Sequence, residues 1–156
     1  MRLVVISFAA LAVTGILWAS AAQEKKAEPA KQNEAKKELK FVSSDDAKFV
    51  EVVPGVSKVV LRGDPEKGAY AAFTKFAPGQ NNGLHTHSNE VRIVVLEGAY
   101  IYAPEKGEER RVGPGCYLSI PGGDRHVSSG DEKEGALFFE ESDGKFDLVS
   151  AEKEKK

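Results

Sequence analysis

Gly79-Gln80-Asn81-Asn82-Gly83-Leu84-His85-Thr86-His87 sets two histidines two residues apart, and Gly115-Cys116-Tyr117-Leu118-Ser119-Ile120-Pro121-Gly122-Gly123-Asp124-Arg125-His126 ends on a third. The chain has three histidines, all in these two stretches, which also carry its densest glycine and proline. In a β-strand, residues i and i+2 face the same way, so His85 and His87 would present both imidazoles on one side. Two neutral nitrogen donors make two corners of a metal site, and a third from a distant strand closes the set. The turn at Pro121-Gly122-Gly123 would bend the chain back before His126. Taken alone, a His-x-His pair also arises by chance or as hydrogen-bonded core, so the flanking pattern has to carry the weight.

Outward from these stretches the chain is punctuated at short intervals. Val50 to Val53 stops at Pro54-Gly55, Ser57 to Leu61 at Gly63-Asp64-Pro65, and Tyr70 to Phe76 at Pro78-Gly79. Val91 to Leu96 stops at Glu97-Gly98, Ala99 to Ala103 at Pro104, Cys116 to Ile120 at Pro121, and Ala136 to Glu140 near Asp143-Gly144. Short runs rich in Val, Ile, Tyr and Phe between such breaks predict many short antiparallel strands, in a sandwich or barrel. The body shows no amphipathic helix of three turns and no internal repeat. One all-β barrel over residues 41–150 is therefore expected, a usual size for one domain.

The segment Gly79 to Gly98 resembles the first motif of the cupins, which runs Gly, five residues, His, one residue, His, three or four residues, Glu, six residues, Gly. The segment Gly115 to His126 resembles the second, which runs Gly, five residues, Pro, one residue, Gly, two residues, His, three residues, Asn. The wider stretch, from Gly63-Asp64-Pro65 to Ser142-Asp143-Gly144-Lys145-Phe146-Asp147, is similar to a cupin subgroup known mainly as a domain of unknown function, the DUF4437-like set. The resemblance covers residues 41–149. It implies a small antiparallel jelly-roll barrel whose mouth holds one divalent transition metal on His85, His87 and His126. Iron, manganese, zinc and nickel are all open. It also implies a homodimer paired edge to edge. By analogy with three-histidine iron cupins that act on thiols and diketones, it implies oxygenase-like chemistry on a small molecule.

Two positions depart from the motifs. The Glu of the first, counted back from Gly98, falls on Val91, with Glu90 one residue earlier. Val91 shares the parity of the histidines and Glu90 does not, since a one-residue slip sends a side chain to the other face. A bulge would still swing Glu90 inward, so a three-histidine set and a set with Glu90 as fourth metal ligand both stand. Gly130 occupies the place of the Asn that ends the second motif.

Around the metal, Ile93 and Val95 continue the inward parity as an apolar floor. Arg92, of outward parity, would pair with Glu90. Arg125, beside His126, would offer its planar fork to a substrate carboxylate. Of Glu140 and Glu141 one must face inward, as a hydrogen-bond acceptor to a ligand imidazole or a late metal ligand, and Glu140 is the candidate substrate-binding group. The four tyrosines read as wall and core. Three neutral imidazoles would leave the ion's double charge intact and attract an anionic or chelating oxygen ligand. A metal-dependent enzyme, a non-catalytic metal- or ligand-binding module and a structural dimer with adventitious metal all fit this pattern.

The ends read differently. Met1-Arg2, an apolar run from Leu3 to Ala19 and the small residues Ala19-Ser20-Ala21-Ala22 read as a secretory signal peptide over residues 1–22, which would place the mature chain in the periplasm or outside the cell. A transmembrane anchor is the alternative, and the small-residue exit favours cleavage. Residues 23–40 are Lys, Glu, Ala and Gln with hardly a large apolar residue, and predict a solvated spacer. Residues 151–156 form a charged tail of the same kind. Residues 1–22 carry Arg2 and no acid, so their removal moves the formal net charge from −2 to −3. That balance gives no reason to expect nucleic acid or an anionic membrane as a partner; a small-molecule ligand is expected instead. The single cysteine, Cys116, allows no internal disulfide and reads as a small buried apolar residue.

Overall fold

The computed structural model of the protein describes residues 39–152. The stretch read as a signal peptide, most of the spacer, and residues 153–156 of the tail lie outside the described residues. The described residues contain eleven strands: β1 (Val50–Val53), β2 (Val56–Gly63), β3 (Tyr70–Phe76), β4 (Asn81–Thr86), β5 (Val91–Gly98), β6 (Tyr100–Pro104), β7 (Arg110–Val112), β8 (Tyr117–Ile120), β9 (His126–Gly130), β10 (Ala136–Ser142) and β11 (Val149–Ser150). No helix occurs among them.

The strands form two antiparallel sheets. One has the order β1-β2-β3-β10-β5-β8 and the other β11-β4-β9-β6-β7. Neighbours that are distant in sequence, such as β3, β10 and β5, mark the crossovers of a jelly roll. Alternation sets the inner face. Along β5, Val91, Ile93 and Val95 are buried while Arg92 and Val94 are half-buried. These three join Tyr100, Val112, Ile120, Ala136 and Phe138 in the core, with Phe76, Tyr102 and Leu118 packed against them. The Phe138 ring meets those of Phe76 and Tyr100 edge to face, at 5.0 and 5.2 Å between centroids, the geometry that aromatic quadrupoles favour.

Several expectations change here. Cys116 is exposed, not buried. It ends the tight turn in which its N–H donates to the Gly113 carbonyl at 3.1 Å, so it stands outside the barrel before β8 begins. Tyr117, next to it, is 62% exposed, unlike the buried Tyr70 and Tyr100. Arg92 pairs with Asp143 at 2.8 Å and Glu141 at 3.4 Å rather than with Glu90.

The missing Asn of the second motif has a steric reason. A Cβ at Gly130 would lie 2.8 Å from the Ala77 carbonyl oxygen, 3.1 Å from Phe76 Cβ and 3.2 Å from Gly135 Cα. Three backbone segments converge there, and only a residue without a side chain fits.

Candidate metal centre

Strand register brings the histidines together. In the β4–β9 pair, His85 stands directly opposite His126, and their ring centroids are 4.4 Å apart. His87 lies just past the end of β4, with its ring 5.0 Å from that of His85 and 5.4 Å from that of His126. The Gly123 N–H donates to the His87 carbonyl at 2.8 Å, tying the Pro121-Gly122-Gly123 turn to the first histidine stretch. All three residues are buried, and one ligand nitrogen from each lies within 4.8 Å of the others.

The hydrogen bonds settle which nitrogen is free. His85 Nδ1 meets the Gly83 carbonyl at 2.8 Å, His87 Nδ1 the Asp147 carbonyl at 2.5 Å, and His126 Nδ1 the Asp124 carbonyl at 3.2 Å. A carbonyl only accepts, so each Nδ1 carries the proton and each Nε2 keeps its lone pair. His85 Nε2 and His126 Nε2 are buried with no hydrogen-bond partner. The bond to Gly83 depends on an irregularity between Asn81 and Leu84. There Gly83 takes φ +69°, which L side chains rarely adopt, and its carbonyl turns toward the ring of His85.

Burial favours the neutral form of His85 and His126. Burial first, then the neighbouring imidazoles, push His85 down to about 4, against the opposing bond to Gly83. His126 is lowered too, mainly by burial, while the Asp124 carbonyl and carboxylate oppose. Behind His126, Asp124 Oδ2 stands 3.4 Å from Nδ1 and accepts the Tyr102 hydroxyl at 2.6 Å. The Tyr102 ring stacks on the imidazole at 5.3 Å. Behind His87, the Asp147 carboxylate accepts the Ser88 N–H at 2.7 Å, which holds that segment against the ring and lowers the carboxyl's pKa. Carbonyl and carboxylate supports of this kind fix the tautomer and aim of ligating imidazoles. Three buried rings, each with Nδ1 bonded to a carbonyl and two with an unpartnered Nε2, fit a divalent transition metal.

Glu90 lies outside this group. It is exposed and accepts a hydrogen bond from Ser119 on β8. Residues 87–90 leave the strand, with bends at Ser88 and Asn89, and where β5 begins Val91 is buried while Glu90 before it is exposed. Arg125 is engaged elsewhere: it donates to both carboxylate oxygens of Glu105, at 2.7 and 2.9 Å, and to the Ala151 carbonyl. Glu140 does face inward.

A cavity of about 470 Å³ lies between the sheets, lined by His85, His87, Val91, Ile93, Phe138, Glu140 and Lys58 among others. Val95 is buried in the core behind it. Lys58 was not among the residues singled out from the sequence. It shares strand parity with the buried Val56, and a lysine at an inward position was the available signal.

The profile of the ChrR Cupin-like domain matches residues 37–145. No curated protein is similar in sequence at a significant level. Among solved structures, KdgF from Halomonas sp. is 26% identical with a TM-score of 0.54, over 67% of this chain and 94% of that one. The polyketide cyclase RemF from Streptomyces resistomycificus is 21% identical with a TM-score of 0.63, over 76% and 89%. A structure of Rhodobacter sphaeroides SigE in complex with the anti-sigma ChrR is 21% identical with a TM-score of 0.53, over 65% and 51%.

Proposed function

We propose that this chain, which belongs to the ChrR Cupin-like domain family, is an exported metal-dependent cupin enzyme acting on a small oxygen-rich molecule, with oxygenase-like or related chemistry. One observation carries the reading: three buried imidazoles, each with Nδ1 bonded to a carbonyl, collect their free nitrogens at one point. His85, His87 and His126 would hold the ion, with iron, manganese, zinc or nickel as candidates. Such an ion, when bound, supplies a Lewis acid that polarises a substrate oxygen.

The protein's own groups do the rest. Asp147, Asp124 and Gly83 hold the rings in their ligating tautomer. Val91, Ile93 and Phe138 make a wall that limits water and strengthens polar contacts within the cavity. With no carboxylate in the histidine group, an anionic or chelating oxygen ligand is favoured. Export is supported by the apolar run Leu3 to Ala19 and the small residues after it. A homodimer is supported by β1, an edge strand that exposes Val50, Val52 and Val53. Placement in the DUF4437-like set belongs to the same proposal and rests on the stretches flanking the motifs.

A second reading, a metal- or ligand-binding module without catalysis, draws on the family match and on the likeness to the structure of SigE with the anti-sigma ChrR. Oxygen uptake by iron-loaded protein against a panel of thiols, diketones and hydroxy acids separates the two. Turnover with one class, lost in His126→Ala, supports the enzyme. Silence across the panel supports the module.

A further inference from the structure

The cavity carries a polar cluster that the metal reading does not use. Lys58 on β2 and Glu140 on β10 form an ion pair with side chains 11% and 5% exposed, and both line the cavity that His85 and His87 line. The Lys58 ammonium lies 4.0 Å from the centroid of the Phe146 ring and 5.8 Å from that of Tyr70. The Thr74 hydroxyl, which also lines the cavity, is buried without a hydrogen-bond partner among the described residues. Tyr70 stands beside Glu140, and burial, then the Glu140 charge and a hydrogen bond to it, raise the phenol's pKa. Register explains the grouping: on β3, Thr74 stands opposite Lys58, and Ala72 stands opposite Glu140.

Stability does not explain this cluster. Desolvating two charges costs more than their attraction usually returns, and well-packed apolar replacements are often neutral or better. The orphaned Thr74 hydroxyl adds a further cost. An unused hydroxyl beside an ion pair, in a cavity facing a candidate metal centre, is a group that a ligand would satisfy. The pair is in direct contact and carries no net charge. A ligand carboxylate there would meet Glu140, and a ligand ammonium would meet Lys58. A hydroxyl meets neither objection, because a single oxygen donates to Glu140 and accepts from Lys58 or Thr74.

We propose that Lys58, Glu140 and Thr74 form a hydroxyl-recognition site, so that the ligand of this cavity is a hydroxy acid with its anionic oxygens at the histidines and its alcohol at the pair. The inference rests on the metal reading above and adds the ligand's second functional group.

Calorimetric titration of the zinc-loaded full chain tests it, using matched acids with and without a hydroxyl: lactate and propionate, 3-hydroxybutyrate and butyrate, gluconate and hexanoate. Zinc content is measured for every variant. In the wild type, at least one hydroxy acid should bind about tenfold or more tighter than its deoxy partner. That preference should fall to about twofold or less in Glu140→Gln and in the double variant Lys58→Met/Glu140→Leu, with zinc stoichiometry unchanged. The double variant removes both charges together and so keeps the fold even where one unpaired charge would not. Zinc-loaded wild type that binds both members of every pair alike, or binds none, overturns the inference. So does a double variant that discriminates as well as the wild type. Wild type that takes up no zinc overturns the metal reading itself, and this inference with it.

Discussion

Restoring the motif asparagine at position 130 should damage this fold, and the cost follows from three contacts. In Gly130→Asn the new Cβ would be 2.8 Å from the Ala77 carbonyl oxygen, with Phe76 Cβ and Gly135 Cα at 3.1 and 3.2 Å. The strand cannot simply step away. The Gly130 N–H donates to the Gln80 carbonyl at 2.9 Å, and the Asp131 N–H to that of Ala99 at 3.0 Å. Overpacking of a tight site costs about 1–3 kcal/mol, and weakening one backbone hydrogen bond adds about 1 kcal/mol. Lower entropy of the unfolded chain returns about 0.4–1 kcal/mol. The net destabilisation is about 1–3 kcal/mol, or a fall in Tm of roughly 4–12 °C for a domain of this size. Thermal unfolding followed by circular dichroism reads it directly. Gly68→Ala is the control, because a Cβ there meets nothing within 4 Å, and it should be neutral or slightly stabilising. Gly130→Asn unfolding within about 2 °C of the wild type would refute the steric argument.

Other outcomes follow from the same geometry. Metal-free protein should lose stability as pH falls from about 6.5 to about 4, because the unfolded chain protonates His85 at its ordinary pKa while the fold holds it down to about 4. Urea unfolding at pH 7 and pH 4.5 would show the loss, and equal midpoints would contradict it. Asp124→Ala removes the carboxylate behind His126 and should weaken zinc binding about 10- to 100-fold with the strands intact by circular dichroism. Unchanged zinc affinity would rule out that support. The Cys116 thiol should react with a thiol reagent at one equivalent in the native protein; reaction only after denaturation would place it inside.

Much of this was legible in the sequence. Gly and Pro punctuation marked β2, β3, β5 and β10 to within a few residues, because these strands are apolar runs. β9 escaped that reading: His126-Val127-Ser128-Ser129-Gly130 looks polar, since its inward positions are a candidate ligand, a serine and a glycine. Spacing together with the flanking glycine and proline pattern brought out the three histidines, and the alternation of β5 separated Val91 from Glu90. The partners of Arg125 could not be read, because Glu105 reaches it through the pairing of β6 with β9, which sets Pro104 opposite His126. Nor could the supports from Asp147 and Tyr102, which depend on how the chain crosses the barrel mouth. Cys116 misled because its residue type is usually buried, whereas its place at the end of a tight turn puts it outside.

Elemental analysis of untagged protein, purified without added metal, tests the account at its centre. It should find close to one equivalent of a transition metal in the wild type, lost in both His87→Ala and His126→Ala, with chelation lowering the wild type's Tm. A wild type without metal, whose unfolding is indifferent to chelators and to added zinc or iron, would contradict it.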